Sequence, residues 1–215
     1  DYNHIDQNVL EKKYRNYSAS YWNKRTMAPS SLLFYVGLNK KLKNVKHHCL
    51  FFDKDFENHS KEIYEIPRWP SDPLFYASFS SKTDKESAPK NCENMVLLIP
   101  IAPDIEDNKL IREKYFELIM ARLEKLTKQP IKDNIIYKKS YCIRDFKKDY
   151  NSFKGNAYGL ANTLFQTAIF KPSIKNKKLK NLFFCGQLTV PGPGVPPAVI
   201  SGGVVAKEIK KKIKN

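Results

Sequence analysis

The apolar positions fall into short runs separated by polar, proline-marked stretches. Residues 31–38 (SLLFYVGL) are apolar and aromatic with a glycine near the end, which predicts a buried strand. The runs 47–52 (HHCLFF), 74–80 (LFYASFS), 95–101 (MVLLIPI) and 134–142 (NIIYKKSYC) predict four more. Pro100 marks a strand end or an edge position. Residues 9–17 and 56–66 read as helical, and Pro67, Pro70 and Pro73 punctuate a loop. Over 107–127, Leu110, Ile111, Tyr115, Leu118, Ile119, Leu123 and Leu126 recur at helical spacing. Asp104, Glu106 and Asp107 stand at the start of that helix, where acids complement its dipole, and Pro130 stops it. Residues 144–150 are charged and 155–170 are rich in turns. Residues 181–186 (NLFFCG) predict a short buried strand, 187–197 a Gly- and Pro-rich loop, and the chain from Val195 a helix. This order predicts an α+β body, largely antiparallel sheet plus helices, that ends in an α/β corner.

Composition narrows the class. The chain has 215 residues, 41% of them hydrophobic, with 13 Phe and 12 Tyr, enough for a sizeable core and too apolar for a disordered chain. No apolar run approaches the roughly 20 residues of a membrane-spanning helix. The chain opens Asp1-Tyr2-Asn3 without Met or a signal sequence, as a processed chain or fragment would. The net charge is +16, yet only 6 of the 38 basic residues are Arg, and those are scattered. Arg is the residue that reads phosphate and guanine with two parallel bonds, so no nucleic-acid partner is expected. The lysines gather in two clusters, Lys171, Lys175, Lys177, Lys178 and Lys180, and Lys207, Lys210, Lys211, Lys212 and Lys214. Each suits a solvated surface or contact with anionic lipid. The four cysteines form no CxxC and no Cys-His spacing, so no metal site is expected. They fit reduced thiols in a cytosolic compartment, with Cys49 and Cys185 as small core residues of apolar strands.

The chemistry is concentrated in 181–206 (NLFFCGQLTVPGPGVPPAVISGGVVA). A strand, a Gly-rich turn and a helix that opens on small residues let backbone amides approach a ligand. The helix N-terminus adds unpaired N–H groups and partial positive charge, which favour an anionic atom. A tight connection with no ligand would use the same spacing. The paired His47-His48 has no carboxylate at matching spacing, and no Ser-His-Asp or Cys-His set has a context, so no catalytic side chain is assigned.

This segment resembles the C-terminal flavin motif of bacterial-type phytoene desaturases and related carotenoid desaturases. The strand glycine, the PGxGxP loop and the helical serine fall on Gly186, Pro191, Gly192, Gly194, Pro196 and Ser201. Further agreement lies in 28–31 leading to Gly37, in His47-His48, Asp72-Pro73, Lys82-Thr83-Asp84 and Ala88-Pro89, and in 155–159. The resemblance covers roughly residues 1–210. It implies a substrate-binding domain over 1–172, joined to the C-terminal strand–loop–helix of a Rossmann-like FAD-binding domain over 173–215. It implies FAD as cofactor, with Gly186 and Gln187 near its ribityl and pyrophosphate part. Pro191, Gly192, Pro193, Gly194, Val195 and Pro196 would then stand at the isoalloxazine ring. Amides from Val195 onward would stabilise the charge of the reduced ring.

The family dehydrogenates long polyenes, phytoene above all. A hydrocarbon needs an apolar, aromatic tunnel, for which Phe34, Tyr35, Phe75, Tyr76, Phe79 and Phe165 are the candidates. A membrane surface and a cytoplasmic, peripherally bound location follow from a bilayer-dissolved substrate. The sequence departs from the family in lacking GxGxxG: its first glycine is Gly37. An N-terminal FAD-binding segment is therefore missing from this stretch, and weak FAD binding by the chain alone is expected. A carotenoid ketolase, a retinol-saturase-like enzyme and a non-catalytic basic binding module stay open as alternatives.

Overall fold

The computed structural model describes residues 1–214, the side chain of Lys214 excepted. The chain forms two compact units, Ser30–Asp145 and a second made of Asp1–Pro29 with the chain from Phe146 onward. This division differs from the 172/173 boundary expected above. The reason is packing: Tyr2, Trp22 and Met27 share one apolar cluster with Leu160, Phe184 and Leu188.

In this discontinuous unit, the short helices α1 (Tyr2–His4) and α2 (Ala19–Asn23) carry the aromatic residues of the N-terminal stretch. Tyr2 stacks on Phe184 with ring centroids 3.8 Å apart. Asp6 is fully buried and accepts hydrogen bonds from the Asn16 and Tyr17 amides at 2.7 and 3.0 Å, from Gln7 Nε2 at 3.2 Å and from Trp22 Nε1 at 3.3 Å. A buried carboxylate is tolerated because its oxygens are matched by donors in this way.

The other unit is built on β1 (Ser30–Leu38), β2 (His48–Phe51), α3 (Phe56–Tyr64), β3 (Phe75–Ser78), β4 (Glu93–Ile101), α4 (Lys109–Thr127) and β5 (Ile135–Tyr141). Its five strands form one antiparallel sheet in the order β2-β3-β4-β1-β5. Period-two alternation sends Leu32, Phe34, Val36 and Leu38 of β1 to one face, with Met95, Leu97, Ile99 and Ile101 of β4. There they join Tyr115, Phe116, Ile119, Met120 and Leu123 of α4 in a single core. Pro100 stands one residue from the end of β4, as a strand-end proline should. The α4 cap is Asn108, whose side chain accepts the Ile111 amide at 2.9 Å. Asp107 does not serve the dipole directly. It takes the Arg112 guanidinium at 2.6 Å on each oxygen.

The charged stretch after β5 is a helix, α5 (Ile143–Tyr150), and the chain closes with α6 (Val195–Lys214). Residues 181–186 form no strand. Phe183 makes only an isolated antiparallel bridge to Lys175, because the described residues offer no neighbouring strand there. Cys185 is consequently exposed and Cys49 half-buried, and Cys142 is the buried thiol; all four are free. Among the described residues, no helix is long and apolar enough to cross a membrane.

Candidate functional site

The loop from Gly186 to Gly194 runs back onto α6, and Ser201 holds it there. The Gly186 amide donates to Ser201 Oγ at 3.0 Å, and Thr189 Oγ1 lies 2.9 Å from the same hydroxyl. Thr189 also donates, through its backbone amide and its hydroxyl, to Gly186 O at 3.0 and 2.9 Å. Ser201 and Thr189 are both fully buried, so the bond between their hydroxyls forms out of water. Ser201 thus acts through its hydroxyl, a role that the reading of a merely small residue misses.

The glycines leave backbone bare. An added Cβ on Gly186, Gly202 or Gly203 would meet nothing within 4 Å. Gly192 differs. It is buried, has φ +139, and an added Cβ there would stand 3.3 Å from Lys171 Cε and 3.4 Å from Lys171 Nζ. The outer rim is apolar: Val195 is 80% exposed, and Val199 and Ile200 are exposed beside it. Pro191, Gly194 and Pro196 are also exposed and Pro193 is half-buried. Open glycine backbone bordered by exposed apolar side chains fits a flat ring system that must lie close to the chain.

The helix terminus offers fewer donors than its position suggests. Pro196 and Pro197 carry no N–H, and the Ala198 amide already donates to Gly194 O at 3.0 Å. The amides of Gly194 and Val195 are what this turn can present. The expected series of amides from Val195 onward is corrected to these two. Gln187 stands elsewhere, lining a cavity of about 350 Å³ with Asp1, Phe146, Tyr150, Ser152 and Asn156.

The aromatic candidates separate by sheet face. Phe34, Phe75 and Phe79 are buried in the core, Phe34 edge-on to Phe116 at 5.0 Å and Phe75 stacked on Phe51 at 4.4 Å. Tyr35 and Tyr76 point to the opposite, open face. There the register aligns Leu50, Tyr76, Leu98, Leu33 and Tyr141 in one row across all five strands, with Tyr35 beside Val96 in the next. Phe165 belongs to the discontinuous unit, 68% exposed in a turn against Phe170. The two histidines stack on each other, His47 bonding Thr83 Oγ1 at 2.6 Å and His48 the Tyr76 hydroxyl at 2.5 Å.

Lys171 leaves the lysine cluster in which the sequence groups it. It is 6% exposed, and its Nζ has no hydrogen-bond partner. The only sequence signal is its setting between Phe170 and Pro172 rather than among other lysines. Members of both clusters, Lys175, Lys180, Lys211 and Lys212, line one cavity of about 480 Å³. Glu208 sits among them, 2.6 Å from Lys175 Nζ and 3.1 Å from Lys211 Nζ. The side chain of Lys214 lies outside the described residues.

Comparison with known proteins agrees with this picture. Residues 50–210 match the family "Flavin containing amine oxidoreductase". The chain is 37% identical over 213 residues to the carotenoid 3,4-desaturase of Haloarcula japonica, covering 99% of this chain and 43% of that protein. It is 28% identical over 225 residues to a 4,4'-diapophytoene desaturase (4,4'-diaponeurosporene-forming) of Staphylococcus haemolyticus, covering 100% of this chain and 44% of that protein. It is 29% identical over 187 residues to the zeta-carotene-forming phytoene desaturase of Myxococcus xanthus, at 84% and 35% coverage. The chain belongs to the flavin containing amine oxidoreductase family, and the resemblance to carotenoid desaturases holds. FAD is the cofactor that this membership indicates. The chain spans about two-fifths of the length of the first two relatives.

Proposed function

We propose that this chain provides the substrate-binding sheet and the C-terminal flavin-contacting segment of an FAD-dependent carotenoid desaturase. Bound FAD supplies a two-electron acceptor, and the polyene loses hydrogen from two adjacent carbons. The observation that carries the reading is the glycine loop tied onto α6 by the Ser201 hydroxyl, with open backbone at Gly186 and, on α6, at Gly202 and Gly203. Gly186, Gly192, Gly194 and Val195 hold the cofactor, within a Rossmann-like domain that also includes α6. The open sheet face with Tyr35, Tyr76, Leu33 and Leu98 guides the hydrocarbon by apolar contact, which suits a substrate with no polar handle. Phytoene, converted towards lycopene, is the proposed substrate. The two lysine clusters around one cavity support docking on an anionic, cytoplasmic membrane surface.

The test is expression of the full-length gene product with phytoene in vesicles. A flavin absorption spectrum and products with longer conjugated chains are expected. A protein that purifies without flavin and leaves the polyene unchanged overturns the proposal. One observation favours a second reading: the chain is also 30% identical over 185 residues to a 4,4'-diaponeurosporene oxygenase of Staphylococcus haemolyticus. Products that gain oxygen rather than unsaturation would select it.

A further inference from the structure

Three observations meet at Gly192. Lys171 is buried to 6% exposure and its Nζ makes no hydrogen bond. That nitrogen is 3.4 Å from where a Gly192 Cβ would stand, and Lys171 Cε is 3.3 Å from it, so the end of the Lys171 side chain lies directly against the Gly192 backbone. The helix terminus just beyond loses the donors of Pro196, Pro197 and Ala198 and keeps the Gly194 and Val195 amides, which carry no formal charge. A full positive charge opposite an anionic atom therefore comes from a side chain.

We infer that Lys171 Nζ is the resident positive charge of the flavin loop, facing Gly192 and stabilising the negative charge that FAD gains on reduction. This inference rests on the flavin reading above. An ammonium buried without a partner is costly, and a fold retains one where a ligand's charge compensates it. Acids of the same unit are engaged elsewhere. Asp6 is held by four donors, and Glu208 by Lys175 and Lys211. Burial also pushes the Lys171 pKa below the ordinary lysine value. Gly192 is then the residue that lets cofactor and ammonium come close, its φ of +139 being open to glycine at little cost.

The experiment uses the FAD-loaded full-length gene product and its Lys171→Met, Lys171→Gln and Lys171→Arg variants. The readouts are the FAD midpoint potential and the thermal stability of the flavin-free protein. Loss of the ammonium should weaken binding of reduced FAD relative to oxidised FAD about tenfold, a fall of about 30 mV for a two-electron couple. The Arg variant should stay within about threefold of wild type. Flavin-free Met and Gln variants should be at least as stable as wild type, since an uncompensated charge is gone. Unchanged potentials in both neutral variants, with FAD bound to wild type, overturn the Lys171 assignment alone. So does marked destabilisation of both flavin-free neutral variants, which would reveal a protein partner for Nζ. A wild-type product that takes up no FAD overturns the flavin reading, and this assignment with it.

Discussion

Ser201 Oγ accepts the Gly186 amide hydrogen across 3.0 Å, linking two residues on either side of the glycine loop. Ser201 lies on the second turn of α6, fully buried, and its hydroxyl also meets Thr189 Oγ1 at 2.9 Å. Ser201→Ala removes both bonds and leaves the part-buried Gly186 amide short of a partner, while the Thr189 hydroxyl keeps its bond to Gly186 O. Such an orphan costs about 1–3 kcal/mol. The expected outcome is a loss of about 2 kcal/mol in urea unfolding together with weaker FAD binding. Ser201→Thr, which keeps the hydroxyl, should recover most of both. Unfolding curves and flavin titrations of the two variants, run side by side, would check it; full FAD affinity in the Ala variant would mean that the loop is held by something else.

His59 predicts an acid-sensitive join between α3 and the sheet. Its Nε2 donates to Pro100 O at 2.8 Å, and its Nδ1 accepts the Leu74 amide at 3.1 Å, so the ring is neutral in the fold. Burial is the main reason its pKa is lowered, outweighing the Pro100 bond and the Glu62 charge. A histidine with a lowered folded pKa contributes stability above its unfolded pKa of about 6.5 and loses it as pH falls through the folded value. Thermal midpoints should therefore drop below about pH 6.5, beyond the change of a His59→Gln variant over the same range. Parallel pH profiles for the two proteins would refute this.

The parts that sequence made legible are those with a local period. The alternation in β1 and β4 and the helical repeat of α4 follow from one buried face each, and the structure keeps them within two residues. Residues 181–186 misled because an apolar run becomes a strand only beside another strand, and Phe183 finds just a bridge to Lys175. The exposure of Cys185 has the same cause. Lys171 was hidden for a different reason: its setting between Phe170 and Pro172 is a weak mark within the lysines from 171 to 180, and only the fold shows that it turns inward beneath Gly192. The donor-poor start of α6, by contrast, could be read directly from Pro196 and Pro197.

The two sheet faces should respond differently to truncation. Phe79 is fully buried in the core, so Phe79→Ala should cost about 3–5 kcal/mol of stability. Tyr35 is 39% exposed on the open face, and Tyr35→Ala should cost well under half of that. If the open face guides the polyene, the Tyr35 variant should instead raise the apparent KM for vesicle-borne substrate about fivefold at similar kcat. Chemical unfolding separates the first pair of outcomes, and steady-state conversion tests the second. A Tyr35 variant with unaltered kinetics would remove this face from the substrate path.

The cysteines give a direct reading of the fold. Cys142 is fully buried, and burial pushes its thiol pKa up to about 12, with Asp107 nearby adding to the effect. The thiolate is the form that reacts, so Cys142 should be inert towards a disulfide reagent at pH 8 in the native protein. Cys185 is exposed and should react first, with the half-buried Cys49 and Cys92 following. Peptide mapping after a short exposure should find label on Cys185 and none on Cys142 until denaturant is added. Early label on Cys142 would contradict the core that joins β5 to α4. Protection of Cys185 in the FAD-loaded full-length product but not in this chain alone would show that further structure covers residues 181–186 there.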